Sequence, residues 1–356
     1  MSELKILNGD GTEKFLGSFG TGATGDPYHN IPADFYTEVS KGNVVGHDKI
    51  SKFGANPTVN IADGFATVWD GGGTYVAPTQ ARIHDVVSDA AADAGTVVSS
   101  GTATGGSLTT IIDTGATFVS DGVAVSDIVL NDNNTAAGRI TAVTSETTLT
   151  FAGSIREPEF GQIDDPFESG DAYRVVTDAS TGASFIYITG LDLNLSSIKE
   201  FIVLNGTSNV ATVKSYRRQF RARAFAMAST GTVGTVTSTA QTDGTVTCQI
   251  INGNNQSLMS IYTVPVGKTA HILSWWGTLS KKQAAASIVN LRVGSLTGMS
   301  YVLQVRGLNS VGSSDFYYDY KIPLAIVGGS DIWVEANTDT NALSVGSGFD
   351  LLLVDD

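Results

Sequence analysis

The stretch that most constrains the fold is residues 190–226, where two β-rich runs flank an Asn-Gly pair. The apolar positions on the two sides of Asn205-Gly206 are Ile198, Phe201, Val203, Leu204, Val210, Val213, Tyr216, Phe220 and Phe225. An Asn-Gly pair between two such runs is the strongest short-range sequence signal for a β-hairpin. The stretch therefore predicts a hairpin centred on Asn205-Gly206, and a hairpin of this kind suits a β-sandwich.

Four arginines lie in the seven-residue stretch 217–223, after the Asn-Gly pair: Arg217, Arg218, Arg221 and Arg223. The chain has a net charge of −14 and only 21 lysines and arginines, so this density is unusual. Side chains alternate along a strand, which places Arg217, Arg221 and Arg223 on one face and Arg218 on the other. Two interpretations stay open: a solvated face that pairs with the chain's own carboxylates, or a stripe of inter-subunit ion pairs, for which arginine is well suited.

A tryptophan pair supplies a second candidate contact. Trp275 and Trp276 are adjacent in an apolar run, so a strand turns their side chains to opposite faces. One of them is expected in the core, and the other can anchor an interface. The hypothesised assembly interface therefore contains Arg217, Arg221, Arg223 and Trp276.

The composition indicates an all-β protein of two or three domains. Glycine occurs 40 times in 356 residues, and charged residues make up only 16%. Short alternating runs of Val, Ile, Thr and Tyr are separated by Gly, Asn, Asp and Ser, which is the pattern of short strands and turns. At roughly 150 residues per domain, the length suits two or three domains.

Charge and cysteine content exclude several classes of protein. A net charge of −14 and a pI near 4.6 argue against nucleic acid as a partner, because phosphate binding needs a cationic surface. The single cysteine, Cys248, permits no intramolecular disulfide. The sequence shows no secretory signal and no apolar run of about 18 residues, so we expect synthesis in a cytoplasm and no membrane partner.

The order of motifs predicts three parts. Residues 1–56 are rich in glycine and read as an extended N-terminal arm that orders on assembly or stays flexible. Residues 57–95 and 179–356 read as one jelly-roll-like β-sandwich. Residues 96–178 read as an inserted small β-barrel module. Its five strand candidates are 116–120, 124–131, 138–143, 148–152 and 172–176, and the only helix candidate of the chain is Asp85–Ala94.

Candidates for catalysis or cofactor binding are scarce. His29, His47, His84 and His271 are scattered, and none has a metal-ligand spacing to another His or Cys. The acidic loop 157–171 offers clustered carboxylates to Ca²⁺, but it lacks the spacing of an EF-hand loop and also reads as a solvated loop. The sequence therefore predicts no enzyme and no cofactor.

Several turn-and-strand motifs occur over residues 46–95 and 179–356: Lys52-Phe53-Gly54, Asn56-Pro57, Trp69-Asp70-Gly71-Gly72-Gly73-Thr74-Tyr75, Gly190-Leu191-Asp192, Ile198-Lys199-Glu200, Leu204-Asn205-Gly206-Thr207, Lys214-Ser215-Tyr216-Arg217-Arg218, Tyr262-Thr263-Val264-Pro265 and Gly348-Phe349-Asp350-Leu351-Leu352-Leu353-Val354-Asp355. Through these motifs the chain resembles β-rich virion structural proteins of tailed bacteriophages. The insert is similar to small barrels that recur in phage particle proteins.

The resemblance implies a non-enzymatic part of a virion, assembled in the host cytoplasm. A capsid decoration or cement protein is the first expectation: a homo-oligomer, with a trimer expected first, that binds the major capsid protein. A tail, neck or fibre component with a receptor- or glycan-binding role is the alternative. A third class, a polysaccharide depolymerase, would need paired carboxylates in a groove and a repeated β-helix coil, and the sequence has no fixed-period repeat.

Overall fold

The computed structural model of the chain describes residues 5–7, 13–15, 35–40, 42–154, 166–178, 181–227, 231–296 and 298–356. The protein is all-β, with antiparallel sheets and a sandwich-like character. Within the described ranges the helical elements are α1 (Phe35–Ser40) and a single 3₁₀ turn (Ile61–Asp63). The expected all-β class is therefore confirmed.

Twenty-three strands are defined in the described part of the chain. The strands that precede the expected insert are β1 (Lys5–Leu7), β2 (Glu13–Phe15), β3 (His47–Val59), β4 (Ala66–Thr67) and β5 (His84–Ser88). The strands of the expected insert are β6 (Val97–Thr102), β7 (Gly105–Gly106), β8 (Thr110–Ile112), β9 (Ile128–Asn131), β10 (Ala136–Ser145), β11 (Thr148–Ser154) and β12 (Ala172–Val176). The strands that follow are β13 (Ala183–Leu191), β14 (Ser197–Val203), β15 (Val210–Ala211), β16 (Arg218–Met227), β17 (Val236–Ala240), β18 (Val246–Ile250), β19 (Ile261–Thr263), β20 (Lys268–Gly294), β21 (Ser300–Ile326), β22 (Asp331–Thr338) and β23 (Leu343–Asp355).

The strands after residue 180, together with β3, β4 and β5, build two layered bodies. A three-stranded sheet in the order β14-β13-β16 and a four-stranded sheet in the order β15-β5-β17-β18 contribute side chains to one hydrophobic cluster. A larger sheet has the order β19-β22-β20-β23-β3, with β4 on β22 and β21 on β20. Its inward side chains form the largest cluster, with Trp275, Phe349, Leu291 and Val334 fully buried.

A long hairpin of β20 and β21 dominates the larger sheet. Each strand has 27 residues, against a usual length of about 5–6. On the side of β20 opposite β21, β23 pairs with residues 268–280 and β22 pairs with residues 287–294. A register irregularity between Lys281 and Ala285 of β20, opposite Gly312 with φ of 93°, divides the hairpin. We call Ser300–Asn309 the first half of β21 and Gly312–Asp319 its second half.

The strands β6–β12 form a separate seven-stranded sheet in the order β6-β12-β9-β10-β11-β8-β7. This sheet has its own hydrophobic cluster, in which Ile111, Phe118, Leu149 and Val175 are fully buried. A smaller shared cluster joins it to the three-stranded sheet: Ile128 and Leu130 of β9 pack with Phe185, Tyr187 and Phe201. Of the strands expected here, 172–176 matches β12, while 116–120 contains no strand.

The hairpin expected around Asn205-Gly206 is wrong. The run before the pair, β14, and the run after it, β16, both pair with β13 and lie on opposite sides of it. The actual hairpin joins β13 to β14 through Asp192, whose carboxylate accepts hydrogen bonds from the N–H groups of Asn194 and Ser196. Gly206 has φ of 56° and packs against Ala91, so the Asn-Gly pair makes a turn that docks on the 88–95 loop.

Two further sequence expectations fail at the N-terminal side. The helix expected over Asp85–Ala94 is absent, because His84–Ser88 is strand β5 and pairs with β15 and β17. The C-terminal boundary expected for the arm, residue 56, lies inside strand β3, because β3 begins at His47 and pairs with β23. Inward positions of β3 carry Lys52, Gly54 and Asn56, so the usual alternation of apolar residues is missing.

Candidate assembly surface

The arginines of β16 lie mostly inside the chain. Arg218 is 4% exposed, and its Nε and Nη2 donate to the two carboxylate oxygens of Asp331, each at 3.2 Å. Asp331 also accepts hydrogen bonds from Thr263 Oγ1 and from the N–H of Leu296 at 2.7 Å. A buried bidentate pair with these additional donors fixes β16 against β22, since each partner would be costly to bury alone.

Arg221 is also unavailable to a partner in this fold. It is 1% exposed, its guanidinium lies 4.3 Å from the centroid of the Phe53 ring, and its Nη1 donates to Ser257 O at 2.9 Å. The strand alternation that placed Arg221 on an outer face failed because β16 is covered on both faces by the chain itself. Arg221 is therefore a packing residue, and in this fold it presents almost no exposed surface for the subunit contact that the sequence predicts.

Arg217 and Arg223 are half-buried. Arg217 Nη1 lies 3.4 Å from Leu193 O, and Arg223 forms a backbone bridge with Gln256. These partners of the two arginines lie on other segments of the chain than strand β20, which contains Trp276. Their contact with another subunit stays a prediction.

The arginine-containing side of β16 covers a buried polar junction. Lys52 of β3 is fully buried, and its Nζ donates to Phe220 O at 2.6 Å. Asp70 is 4% exposed, and its Oδ2 accepts from the N–H of Leu258 at 2.9 Å. Burial raises the pKa of the Asp70 carboxyl to about 7, although that hydrogen bond and the charge of Arg221 oppose the rise.

Several motifs that carry the phage resemblance converge on this junction. Lys52, Phe53 and Gly54 come from β3, and Trp69 and Asp70 come from the turn after β4. Gly54 runs so close to the backbone of Ser260 and Val68 that a Cβ would overlap both. These motifs are therefore requirements of packing and of a buried charge network, which explains why they carry no catalytic pattern.

Trp276 lies on the outer face of the long hairpin. Trp275 is fully buried in the core, as expected for one member of the pair, and Trp276 is half-buried beside Gly348 of β23. Its cross-strand neighbour on β21 is Tyr317, which is 67% exposed. Trp276 therefore belongs to an aromatic pair at the surface of the larger sheet.

The strand beside that pair has a free edge. In the described ranges, β21 pairs with β20 and with no other strand. The first half of β21 is rich in residues that favour strands, and its exposed apolar side chains are Tyr301 (56%), Val302 (39%) and Val305 (53%). An exposed, long and apolar edge strand is a template for pairing with another chain, and soluble proteins normally shield such edges.

A charge pattern marks the same region, and sequence reasoning missed it. No aspartate or glutamate occurs between Asp243 and Asp315, whereas five lysines and arginines do. The chain has 35 acidic residues in 356, so about seven would be expected over such a stretch. A cluster of cationic residues in the sequence indicates the buried β16 arginines. A long stretch without aspartate or glutamate is the signal that indicates the exposed hairpin.

The described residues contain no group of three or more His, Cys, Asp and Glu side chains that could hold a metal ion. The acidic loop 157–171 lies mainly outside the described residues; of its members, Asp171 accepts hydrogen bonds from Asn131 Nδ2 and from the N–H of Glu168. In the described part of the chain, no helix is long and apolar enough to cross a membrane.

Comparison with known proteins adds no relative: the chain matches no protein-family model, no curated protein and no solved structure.

Proposed function

We propose that the chain is a multi-copy structural protein of a tailed-phage virion, with a capsid decoration or cement protein as the first choice. The observation that supports an assembly role is the 27-residue strand β21, which pairs on one side only and exposes apolar side chains. An edge of this kind favours a protein that works with its surface covered by other subunits. The assignment to a phage particle comes from the sequence resemblance.

In this proposal the chain forms a homo-oligomer that binds the major capsid protein. The main body is a jelly-roll-like sandwich, the insert over residues 96–178 is a small barrel that projects outward, and the N-terminal arm lies across neighbouring capsid subunits. An arm that orders on assembly adds contact area that a compact body lacks. Arg217, Arg223 and Trp276 are candidates for contacts between subunits.

Copy number in the particle separates this proposal from its alternative, a tail, neck or fibre component with a receptor- or glycan-binding insert. Quantitative mass spectrometry of purified virions should give a number of copies comparable to that of the major capsid protein. A dozen copies or fewer per particle would instead place the chain at the neck or tail. A depolymerase, the alternative of another class, would release new reducing ends from host capsule or lipopolysaccharide, and we expect none.

A further inference from the structure

We infer that the free edge of β21 pairs with β21 of a second copy of this chain. The two strands run antiparallel around a two-fold axis near Ser310, so that the first half of each β21 lies against the second half of the other. This inference deepens the proposed homo-oligomer by naming its contact, and it replaces the trimer expected from the resemblance with a two-fold dimer. It can be tested on the isolated chain whether or not the virion role is correct.

The features that protect an edge strand define where pairing can occur. Between Asp319 and Leu324 the register with β20 is interrupted, and this interruption contains Lys321 and Pro323. Bulges, lysine and proline are the devices that keep strands from pairing at an edge. The unprotected edge is therefore Ser300–Asp319, and its midpoint falls at residues 309–310.

A second copy fits this edge in length and in symmetry. Identical subunits pair most simply through the same surface on both, which is a two-fold contact. A two-fold axis at the midpoint uses the whole unprotected edge of both copies in one interface. Together with the outward residues of β20, β21 supplies roughly the 20–30 residues a side that a stable interface requires.

The exposed apolar side chains are distributed over both halves of the edge. Tyr301, Val302 and Val305 lie in the first half, and Tyr317 lies in the second half beside Trp276. Antiparallel pairing about Ser310 places Val305 of one copy opposite Asp315 of the other and Tyr317 opposite Leu303, and it does so twice. The same contact covers Trp276 from the side.

Charge favours this register and this surface. A chain of net charge −14 resists self-association over most of its surface, and the first half of β21 lies in the stretch without carboxylates. The first half contains Arg306, whereas the second half contains Asp315 and Asp319. An axis within the first half would bring two arginines together, and an axis within the second half would bring four carboxylates together, whereas the central axis keeps these like charges apart.

Cysteine cross-linking tests the register directly. A chain with Val305→Cys is mixed with a chain carrying Tyr317→Cys, and in a parallel mixture with a chain carrying Asp315→Cys, under mild oxidation. We expect a covalent dimer on a non-reducing gel from at least one mixture, and none from any variant alone, because each position is far from its own copy across the central axis. Native Cys248 is buried, so the unmodified chain is a suitable control.

Association itself is tested by sedimentation velocity on the full chain. We expect a dimer, and we expect Val305→Lys to raise its dissociation constant roughly tenfold or more, since a charge is placed in a buried pairing strand. Ile322→Lys is the matched control, because Ile322 is 82% exposed but lies in the protected bulge, and it should leave the constant unchanged. Circular dichroism confirms that both variants fold.

Four outcomes would overturn the inference. A monomer at every concentration would show that no second copy occupies the edge, and a trimer would exclude the two-fold axis. Equal cross-linking of the single variants alone would show that like halves pair. If the N-terminal hairpin β1–β2 of another copy occupied the edge instead, deletion of residues 1–34 would abolish the dimer, whereas pairing through β21 leaves it intact.

Discussion

At the scale of single residues, Asp70 is a buried carboxyl group whose negative charge is opposed by its surroundings. It lies in the buried junction with Lys52 and Arg221, and burial raises its pKa from 3.8 to about 7. The folded chain therefore binds a proton between these two values that the unfolded chain releases. The resulting stabilisation is fully present below about pH 4 and is lost as pH rises through about 7.

This linkage gives a prediction for Asp70→Asn. An asparagine keeps the shape of the side chain and has no charge to lose, so the variant should remove one component of the pH dependence. In the wild type, Asp70 should lower the free energy of unfolding by up to about 1.4 kcal/mol per pH unit between pH 4 and 7. Urea unfolding at pH 5 and pH 7.5 measures the difference between the two proteins.

His84 is the necessary comparison, because its effect has the opposite sign. Its burial lowers the pKa from 6.5 to about 4, so the stabilisation from the neutral ring is lost as pH falls through about 4. Both effects act over pH 4 to 6.5, and only the subtraction of variant from wild type isolates Asp70. Equal slopes for wild type and Asp70→Asn would show that Asp70 is ionised in the folded chain.

Residue-scale reasoning from the sequence located the unusual side chains but not their surroundings. Arg218 and Arg221 stand out in an acidic chain, and alternation assigned them to opposite faces. Both are buried, because Asp331 comes from β22, Phe53 from β3 and Ser257 from the loop before β19, all distant in sequence. The partner of a buried ion pair is set by which distant strands the fold brings together. A local sequence pattern therefore does not reveal it.

At the scale of elements, strand β3, at the end of the larger sheet, shows why a strand can be missed in the sequence. Its inward positions include Lys52, Gly54 and Asn56, which the junction requires but which interrupt the apolar alternation. The fully buried strand β13 is missed in the sequence for a different reason. Alternation cannot reveal a strand whose two faces are both covered, one by the four-stranded sheet and one by the insert. Strands with one solvent-exposed face, such as β10 and β12, are recognised from the alternation in the sequence.

Gly54→Ala tests the close approach at the centre of β3. The added Cβ would overlap the backbone of Ser260 and Val68, which cannot move as a flexible side chain would. We expect a loss of roughly 1–3 kcal/mol in the free energy of unfolding, as for other overpacked sites.

The matched control for Gly54 is Gly307→Ala in β21, where a Cβ meets no atom within 4 Å. This change should be neutral or slightly stabilising, because alanine restricts the unfolded chain. Chemical unfolding at low protein concentration measures both without a contribution from association. A Gly54 variant as stable as the Gly307 variant would show that β3 and β19 are not packed this closely.

At the scale of the whole molecule, the described chain consists of two layered bodies with their own cores and one further sheet over residues 97–176. The two main clusters contain no residue from that sheet, and that sheet has its own cluster. The sequence predicts an insert over residues 96–178 from its run of five strand candidates, and that division into parts stays a prediction. It did not predict that the sheet would rest on β13 and β14 through Phe185, Tyr187 and Phe201, because that contact depends on the topology around β13.

This arrangement predicts that residues 97–176 can be removed without unfolding the rest. Thr96 and Thr177 are hydrogen-bonded neighbours, with Thr177 N donating to Thr96 O at 3.0 Å, so a two-residue Gly-Ser linker can join them. The shortened chain should unfold in a cooperative transition, with a Tm lower by several degrees, because Phe185, Tyr187 and Phe201 lose their cover. It should also bind the dye ANS more strongly than the full chain.

Replacement of Phe185 and Phe201 by threonine in the shortened chain provides the control. It should reduce ANS binding while it keeps the strand character of β13 and β14. Sedimentation of the same protein should still show the β21 dimer, because among the described residues the long hairpin shares no strand pairing and no hydrophobic cluster with the insert. Loss of cooperative unfolding in both shortened chains would mean that the insert is an integral part of the main body, and that the division into three parts at residues 96 and 178 is wrong.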